Sequence, residues 1–388
     1  MASIAKDSEL HHQMRTWRQD IHAHPETAYE EHRTAAKVAK LLQSFDLEVH
    51  TGLAVTGVVA TLQGTKPGNG CIGLRADLDA LNMQELNKFA HCSRHDGKMH
   101  ACGHDGHTAM LLGAAKYLSQ NRDFAGTVVF IFQPAEEGEA GAKMMCEQGL
   151  FEQFNVDAVY GMHNWPGMEQ GKFAVHTGPV MASMDLFDIT ISGQGCHGGM
   201  PHLGTDPIMV AGQLIGALQS IVSRDLDPLH SGVVSITQIH AGEAYNVIPD
   251  SVTLSGTCRA FSTEQQQQIE SLMRQRVASI CEAFGAKGEL DYRRVAPCTE
   301  NHPQHTQICT LVTTDLVGEE NVILDQAPSM GSEDFAFMLL EKPGAYIWIG
   351  NGTMQGGKGL HNPHYDFNDE VLALGASYWV ALTQQQLA

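Results

Sequence analysis

Short apolar runs alternate with stretches of helical spacing along the first 184 residues. Residues 12–43 carry a helical pattern that Pro25 interrupts and residues 30–42 resume. Residues 55–63 and 71–76 read as strands. Residues 108–118 place apolar side chains at helical spacing, with Asp105 near the predicted N-terminus. Residues 127–132 form a continuous apolar run that Pro134 stops, and residues 156–162 form another. Apolar strands that do not alternate, separated by helices, predict a sheet covered on both faces.

The pattern changes at residue 185. Residues 186–192 alternate, with Phe187, Ile189 and Ile191 on one face. Residues 206–224 read as a helix, and 233–239 and 251–260 as strands separated by Gly-Glu-Ala-Tyr-Asn. Residues 263–284 read as a long helix opened by Ser262 or Thr263, and 288–295 as a last strand. The order β-α-β-β-α-β is that of the ferredoxin-like split unit. Afterwards the first pattern returns: a helix at 311–316, a strand at 345–349, a glycine-rich loop at 350–359, and a final helix from Glu370 to about Gln384 with Asn368 as cap. The expectation is an α/β catalytic domain (1–184 and 298–388; three layers, a mostly parallel sheet, phosphorylase/hydrolase-like) with an inserted α+β ferredoxin-like domain (185–297).

Length agrees with this division, because 388 residues exceed what one core usually holds. Charge narrows the partners. Lys and Arg number 24 and Asp and Glu 44, a net charge of −20. Such a surface repels phosphate backbones and argues against nucleic acid and anionic membranes. No apolar stretch reaches the roughly 20 residues of a membrane span. The first 20 residues lack an apolar signal core, so export is not expected. Nine cysteines are scattered singly without a CxxC pair, which suits a reducing cytoplasm better than a disulfide framework.

Candidate chemistry gathers just beyond the apolar runs. Asp77 follows the strand at 71–76, Glu136 and Glu137 follow 127–132, His163 follows 156–162, and His361 follows 345–349 after a loop. In open α/β sheets, ligands collect outside the carboxyl ends of the strands, so one edge of one sheet would hold them all. Each has a bland alternative: a hydrogen-bonded structural histidine, or a solvated loop carboxylate. The positional agreement favours a metal site. Cys102 and His104 lie two apart, and an extended segment would point both to one side. Asp105 and His107 are read as serving the helix N-terminus or supporting a ligand. Glu136 and Glu137 diverge at a strand end, so one can bind metal while the other faces a bound water as general base. Asp77, or Asp79 in its place, would orient a ligand.

At these residues the chain resembles the amidohydrolase branch of the dinuclear metallopeptidases. That branch includes aminoacylases, hippurate hydrolases and the hydrolases of indoleacetyl–amino acid conjugates. The matching stretches are Leu74-Arg75-Ala76-Asp77-Leu78-Asp79-Ala80-Leu81, Met99-His100-Ala101-Cys102-Gly103-His104-Asp105-Gly106-His107, Phe132-Gln133-Pro134-Ala135-Glu136-Glu137-Gly138, Gly331-Ser332-Glu333-Asp334-Phe335 and His361-Asn362-Pro363. The resemblance implies two divalent ions (zinc, manganese, nickel or cobalt) bound by Cys102, His104, Glu137, His163 and His361, with Cys102 bridging. It implies Glu136 as the base that activates a bridging water for attack on the amide of an N-acyl amino acid. It implies an inserted domain that mediates dimerisation and closes over the site. Within Gly195-Cys196-His197-Gly198-Gly199-Met200-Pro201 it assigns His197 to the oxyanion, from the partner subunit in dimers. Asn246 and Arg259 match substrate-binding positions; a surface salt bridge is the competing reading for Arg259. Two departures, Asn82 where the family usually has proline and the histidine-rich loop at 89–98, bear on substrate preference. The expected protein is therefore a cytoplasmic, homodimeric or dimer-based amidohydrolase acting on a small molecule. A dipeptidase or carboxypeptidase on the same scaffold is the alternative, and a non-catalytic metal-binding protein the second. A zinc nucleobase deaminase would need a C-x-x-C that is absent.

Overall fold

The computed structural model describes residues 3–353 and 358–388, so residues 354–357 of the glycine-rich loop lie outside the described residues. The chain divides into two compact units. The first comprises Met1–Val180, Glu300–Ala327 and Asp334–Ala388; the second comprises Met181–Thr299 and Pro328–Glu333.

The first unit is built on an eight-stranded mixed sheet. Its strands run in the order Glu48–Leu53, Gly57–Gln63, Ala125–Gln133, Lys66–Asp77, Ala158–Trp165, Gly344–Gly350, Phe173–Ala174 and Val322–Ile323. The centre is parallel: Lys66–Asp77 pairs in parallel with Ala125–Gln133 and Ala158–Trp165, and Gly344–Gly350 with Ala158–Trp165. Gly57–Gln63 joins antiparallel to Ala125–Gln133, and Glu48–Leu53 antiparallel to it in turn. The Glu48–Leu53 strand escapes the hydrophobic pattern because it is half-exposed throughout.

The apolar runs are buried on both faces. Leu74, Ala76, Phe130, Phe132, Tyr160 and Met162 turn to one face, into a core shared with the helices His104–Gln120 and Leu372–Gln386. On the other face the Arg75 guanidinium lies 5.7 Å from the centre of the Phe335 ring. The helix read at 311–316 runs over Pro303–Val317. Asn368 caps the last helical segment by accepting from Glu370 N at 3.1 Å.

The second unit is a four-stranded antiparallel sheet in the order Gly232–Ala241, Ser251–Ala260, Met184–Ser192, Lys287–Ala296. The helices Pro207–Ser220 and Thr263–Ala283 complete the ferredoxin-like arrangement. Phe187, Ile189 and Ile191 are buried with Val210, Leu214 and Leu218 of one helix and Ile269, Met273 and Val277 of the other. Asp206 caps the first helix through Ile208 N and Met209 N, and Ser262 caps the second through Gln265 N. No described helix is long and apolar enough to cross a membrane. None of the nine cysteines forms a disulfide.

Candidate metal centre

The parallel centre of the sheet delivers its side chains at one edge. Asp77 is the last residue of Lys66–Asp77 and sits in register with Gln133, the last residue of Ala125–Gln133. His163 lies within Ala158–Trp165 rather than after it, opposite Trp348. The apolar run ends earlier than the strand because His163 and Asn164 are polar yet buried.

The segment holding Cys102 and His104 is not extended. Gly103 has φ +99°, and the helix begins at His104, four residues before the apolar periodicity shows it. A Cβ at Gly103 would meet Asn164 Oδ1 at 2.2 Å and Tyr365 Oη at 2.7 Å, so only glycine makes this turn. The turn, not alternation along a strand, brings Cys102 and His104 together. Asp105 does not cap the helix; its Oδ2 accepts from His22 Nδ1 at 2.8 Å and from Arg18 Nη1 at 3.4 Å. His361, at φ +58°, is tied to the same loop through its N–H on Ala101 O at 2.8 Å.

The potential ligand atoms converge. Those of Cys102, His104 and His163 lie within 4.8 Å of one another, as do those of Cys102, Glu137 and His361, and those of His104, Glu136 and Glu137. Cys102 and His104 each belong to two of these triples. Glu136 and Glu137 do not diverge fully; both reach His104.

Tautomers support a cation here. His104 Nδ1 faces Asp79 O at 3.0 Å and Asp79 Oδ1 at 3.1 Å, both acceptors, so Nδ1 carries a proton and Nε2 is the nitrogen left to take a metal ion or a second proton. That Nε2 is buried and has no hydrogen-bond partner among the described residues. His163 Nδ1 likewise donates to Asn164 O at 2.7 Å, which aims Nε2 at Cys102 Sγ, 3.4 Å away. Glu137 Oε1 is also buried without a hydrogen bond, although His361 Nε2 is 3.2 Å from it. Buried polar atoms are rarely left so, and three ligand types aimed at one point suit a borderline metal.

Electrostatics point the same way. Burial opposes charge on His104, yet Asp77 and then Asp79 outweigh it and push its pKa up to about 10. Burial, then Glu137 and Glu136, holds the Cys102 thiol well above its ordinary range. Burial resists ionisation of Asp77, but His104, His107 and Arg75 keep it well below the carboxylate range. The pocket thus gathers carboxylates around His104 and Cys102, and a divalent cation there would take the place of the second His104 proton and ionise the thiol.

The orienting carboxylates divide their work. Asp79 Oδ1 holds His104, and its Oδ2 accepts from Glu137 N at 2.9 Å. Asp77 Oδ1 accepts from His107 Nδ1 at 2.6 Å, its Oδ2 accepts from Arg75 Nη1 at 2.8 Å, and it stands 3.6 Å from His104 Nε2. His107 in turn lies 2.7 Å from Asn164 Oδ1. Asn164 and Tyr365, whose hydroxyl is 2.6 Å from Asn164 Nδ2, carry no ligand-like signal in the sequence.

His197, Asn246 and Arg259 belong to the second unit. The two-residue strands Cys196–His197 and Val247–Ile248 pair, and Gly198 N donates to Asn246 O at 2.7 Å, so His197 and Asn246 are neighbours. The His197 side chain is exposed. Arg259 is half-buried, and Nη1 donates to Thr257 Oγ1 and to Cys258 O. It forms no salt bridge with a carboxylate among the described residues.

Comparison with known proteins gives a consistent picture. The pattern of Peptidase family M20/M25/M40 matches residues 73–385. A hippurate hydrolase of Campylobacter jejuni is 43% identical over 372 residues, 95% of either chain. An N-acetylcysteine deacetylase of Bacillus subtilis is 39% identical over 379 residues, 97% of either chain. The crystal structure of the Bacillus subtilis YXEP protein, described as a dinuclear metal binding peptidase from the M20 family, superposes with a TM-score of 0.85 at 35% identity. The match covers 97% of this chain and 98% of that one.

Proposed function

The chain belongs to peptidase family M20/M25/M40, and from that premise we propose that it is a metal-dependent amidohydrolase cleaving N-acyl amino acids into a carboxylic acid and an amino acid. One observation carries the reading: Cys102, His104, His163, Glu137 and His361 converge through their ligand atoms, with Glu136 beside them. The relatives named for hippurate and N-acetylcysteine share an acyl–amino acid amide, which sets the substrate class.

Cys102, His104, Glu137, His163 and His361 would hold two divalent ions. When bound, such ions supply Lewis acidity and a water whose pKa falls toward neutrality. Thiolate and imidazole favour zinc, while the carboxylates also accept manganese, nickel or cobalt. Glu136 takes the proton of the attacking water and delivers it to the leaving nitrogen. Asp79 holds His104 in its ligand tautomer, and Asp77 holds His107. His197 supplies the hydrogen bond to the oxyanion. Arg259 and Asn246 receive the substrate carboxylate and its neighbouring amide; the guanidinium gives an otherwise acidic protein a bidentate anion contact.

The second unit serves as the dimer interface in this reading. Ile208 and Met209 on the helix Pro207–Ser220 are 48% and 44% exposed, and Ile239 on the outer strand Gly232–Ala241 is 56% exposed. An outer strand bearing apolar side chains is a surface that pairing would cover. Cysteines without disulfides suit a cytoplasmic setting.

The test is a hydrolysis screen of the metal-loaded protein over acetyl, benzoyl and long-chain acyl amino acids beside dipeptides. Release of the free amino acid from N-acyl substrates supports the proposal. Cleavage of dipeptides alone, or of nothing, refutes it.

A further inference from the structure

The chain enters the Glu136–Glu137 pair through Ala135, whose φ of +56° lies in the left-handed region. A residue with a Cβ stays there only when its surroundings hold it. Ala135 is fully buried. Its N–H donates to Glu31 Oε1 at 2.9 Å, and its carbonyl accepts from Gly141 N at 3.0 Å. The other oxygen of Glu31 accepts from Thr56 Oγ1 at 2.6 Å.

Glu31 is placed unusually for this task. It stands at the N-cap position of the helix His32–Ser44, yet its side chain does not cap that helix. Glu26 does so instead, accepting from Arg33 N at 2.9 Å and Thr34 N at 2.8 Å. The Glu31 carboxyl is wholly buried and is spent on a backbone N–H 104 residues away. Burying such a group is costly unless hydrogen bonds compensate it, so the contact is a specific one. Beyond Ala135 the pair is held again, by Asp79 Oδ2 on Glu137 N at 2.9 Å and by Asp334 N on Glu136 Oε1 at 3.4 Å.

We propose that Glu31 is a positioning residue: by binding the Ala135 N–H it locks the left-handed turn that presents Glu136 and Glu137 together. The proposal rests on the reading of Glu136 as base and Glu137 as ligand. Glu31 acts through Ala135 alone. Losing it lets Ala135 relax to negative φ and moves Glu136 away from the attacking water.

The experiment compares kcat, KM, bound metal and melting midpoint for wild type, Glu31→Ala, Glu31→Gln, Thr56→Val and the double variant Glu31→Ala/Ala135→Gly. Misplacing a reacting group by an ångström costs on the order of 100-fold, so Glu31→Ala should lower kcat about 10- to 100-fold with KM within about twofold. Glu31→Gln keeps an oxygen for Ala135 N–H and should retain kcat. Thr56→Val removes only the other partner and should also retain it. Glycine reaches positive φ without a Cβ penalty, so Ala135→Gly should restore part of the loss. Wild-type kcat in Glu31→Ala, an equal loss in Thr56→Val, or no recovery in the double variant overturns the proposal. Should Glu31→Ala not fold, Ala135→Gly and Ala135→Val carry the test with Glu31 in place: glycine retains kcat and valine lowers it, and equal turnover overturns the proposal. Inactivity of the wild type on every amide would instead refute the amidohydrolase reading itself.

Discussion

At the scale of the residue, the decisive pair is Glu136 and Glu137. They are adjacent in sequence, and both reach His104. Their proposed tasks differ, so substitutions should separate them. Glu136→Gln should keep both metals and lower kcat about 10²- to 10⁴-fold, the usual worth of a positioned proton acceptor. Metal analysis beside steady-state rates checks this; undiminished turnover would remove Glu136 from the mechanism. Cys102→Ser should instead weaken metal binding, because a serine hydroxyl is a poorer ligand for a borderline metal than a thiolate. Calorimetric titration with zinc reads that loss, and unchanged affinity would deny Cys102 a ligand role. Ligand types were legible in the sequence because Cys, His and Glu advertise their chemistry wherever they fall. Asp79, which holds both His104 and Glu137, was legible only as an alternative to Asp77. Glu31 was not legible at all, since a buried glutamate on a distant backbone N–H leaves no local pattern.

At the scale of the element, the apolar runs identified the central strands because burial on both faces demands them. Ends were less legible. The helix His104–Gln120 starts four residues before its apolar spacing, since the left-handed Gly103 and the buried polar residues His104, Asp105 and His107 supply its first turn. That turn is fastened to the helix Glu9–His22. Arg18, wholly buried, reaches Asp369 Oδ1 at 2.7 Å, Asp366 Oδ1 at 2.8 Å and Asp105 Oδ2 at 3.4 Å. His22 bonds Asp105 at 2.8 Å and Glu85 at 3.3 Å. Burial favours the neutral His22 ring, but Asp105 and then Glu85 outweigh it and push its pKa from 6.5 up to about 9. A histidine pKa raised on folding adds stability that is full below its unfolded value and fades as pH rises through its folded value. The melting midpoint of the metal-loaded protein should therefore carry a component that declines between pH 6.5 and about 9. His22→Asn should lack that component. A parallel pH slope in both proteins would contradict the buried imidazolium.

At the scale of the whole molecule, the change from unbroken apolar runs to alternation marked the second unit. Alternation there means a sheet with one covered face, and Phe187, Ile189 and Ile191 turn to the two helices. Pro328–Glu333 also clusters with that unit. Its place has no sequence signal, because it pairs through backbone contacts such as Ala182 N on Ser329 O at 3.0 Å. The exposed apolar side chains of Met209 and Ile239 lead to a prediction at this scale. Met209→Glu combined with Ile239→Lys should shift the protein from dimer to monomer in sedimentation velocity, with metal content unchanged. A wild type that sediments as a monomer would contradict the proposed interface.

Metal and amide chemistry are joined in one pocket, and one titration tests that union. Metal-free protein is titrated with zinc while release of glycine from benzoylglycine is followed. Turnover should be negligible without metal and climb to a plateau as two ions bind per chain. Full turnover in the metal-free protein, or two bound ions with no release of glycine from this or any other N-acyl amino acid, would contradict it.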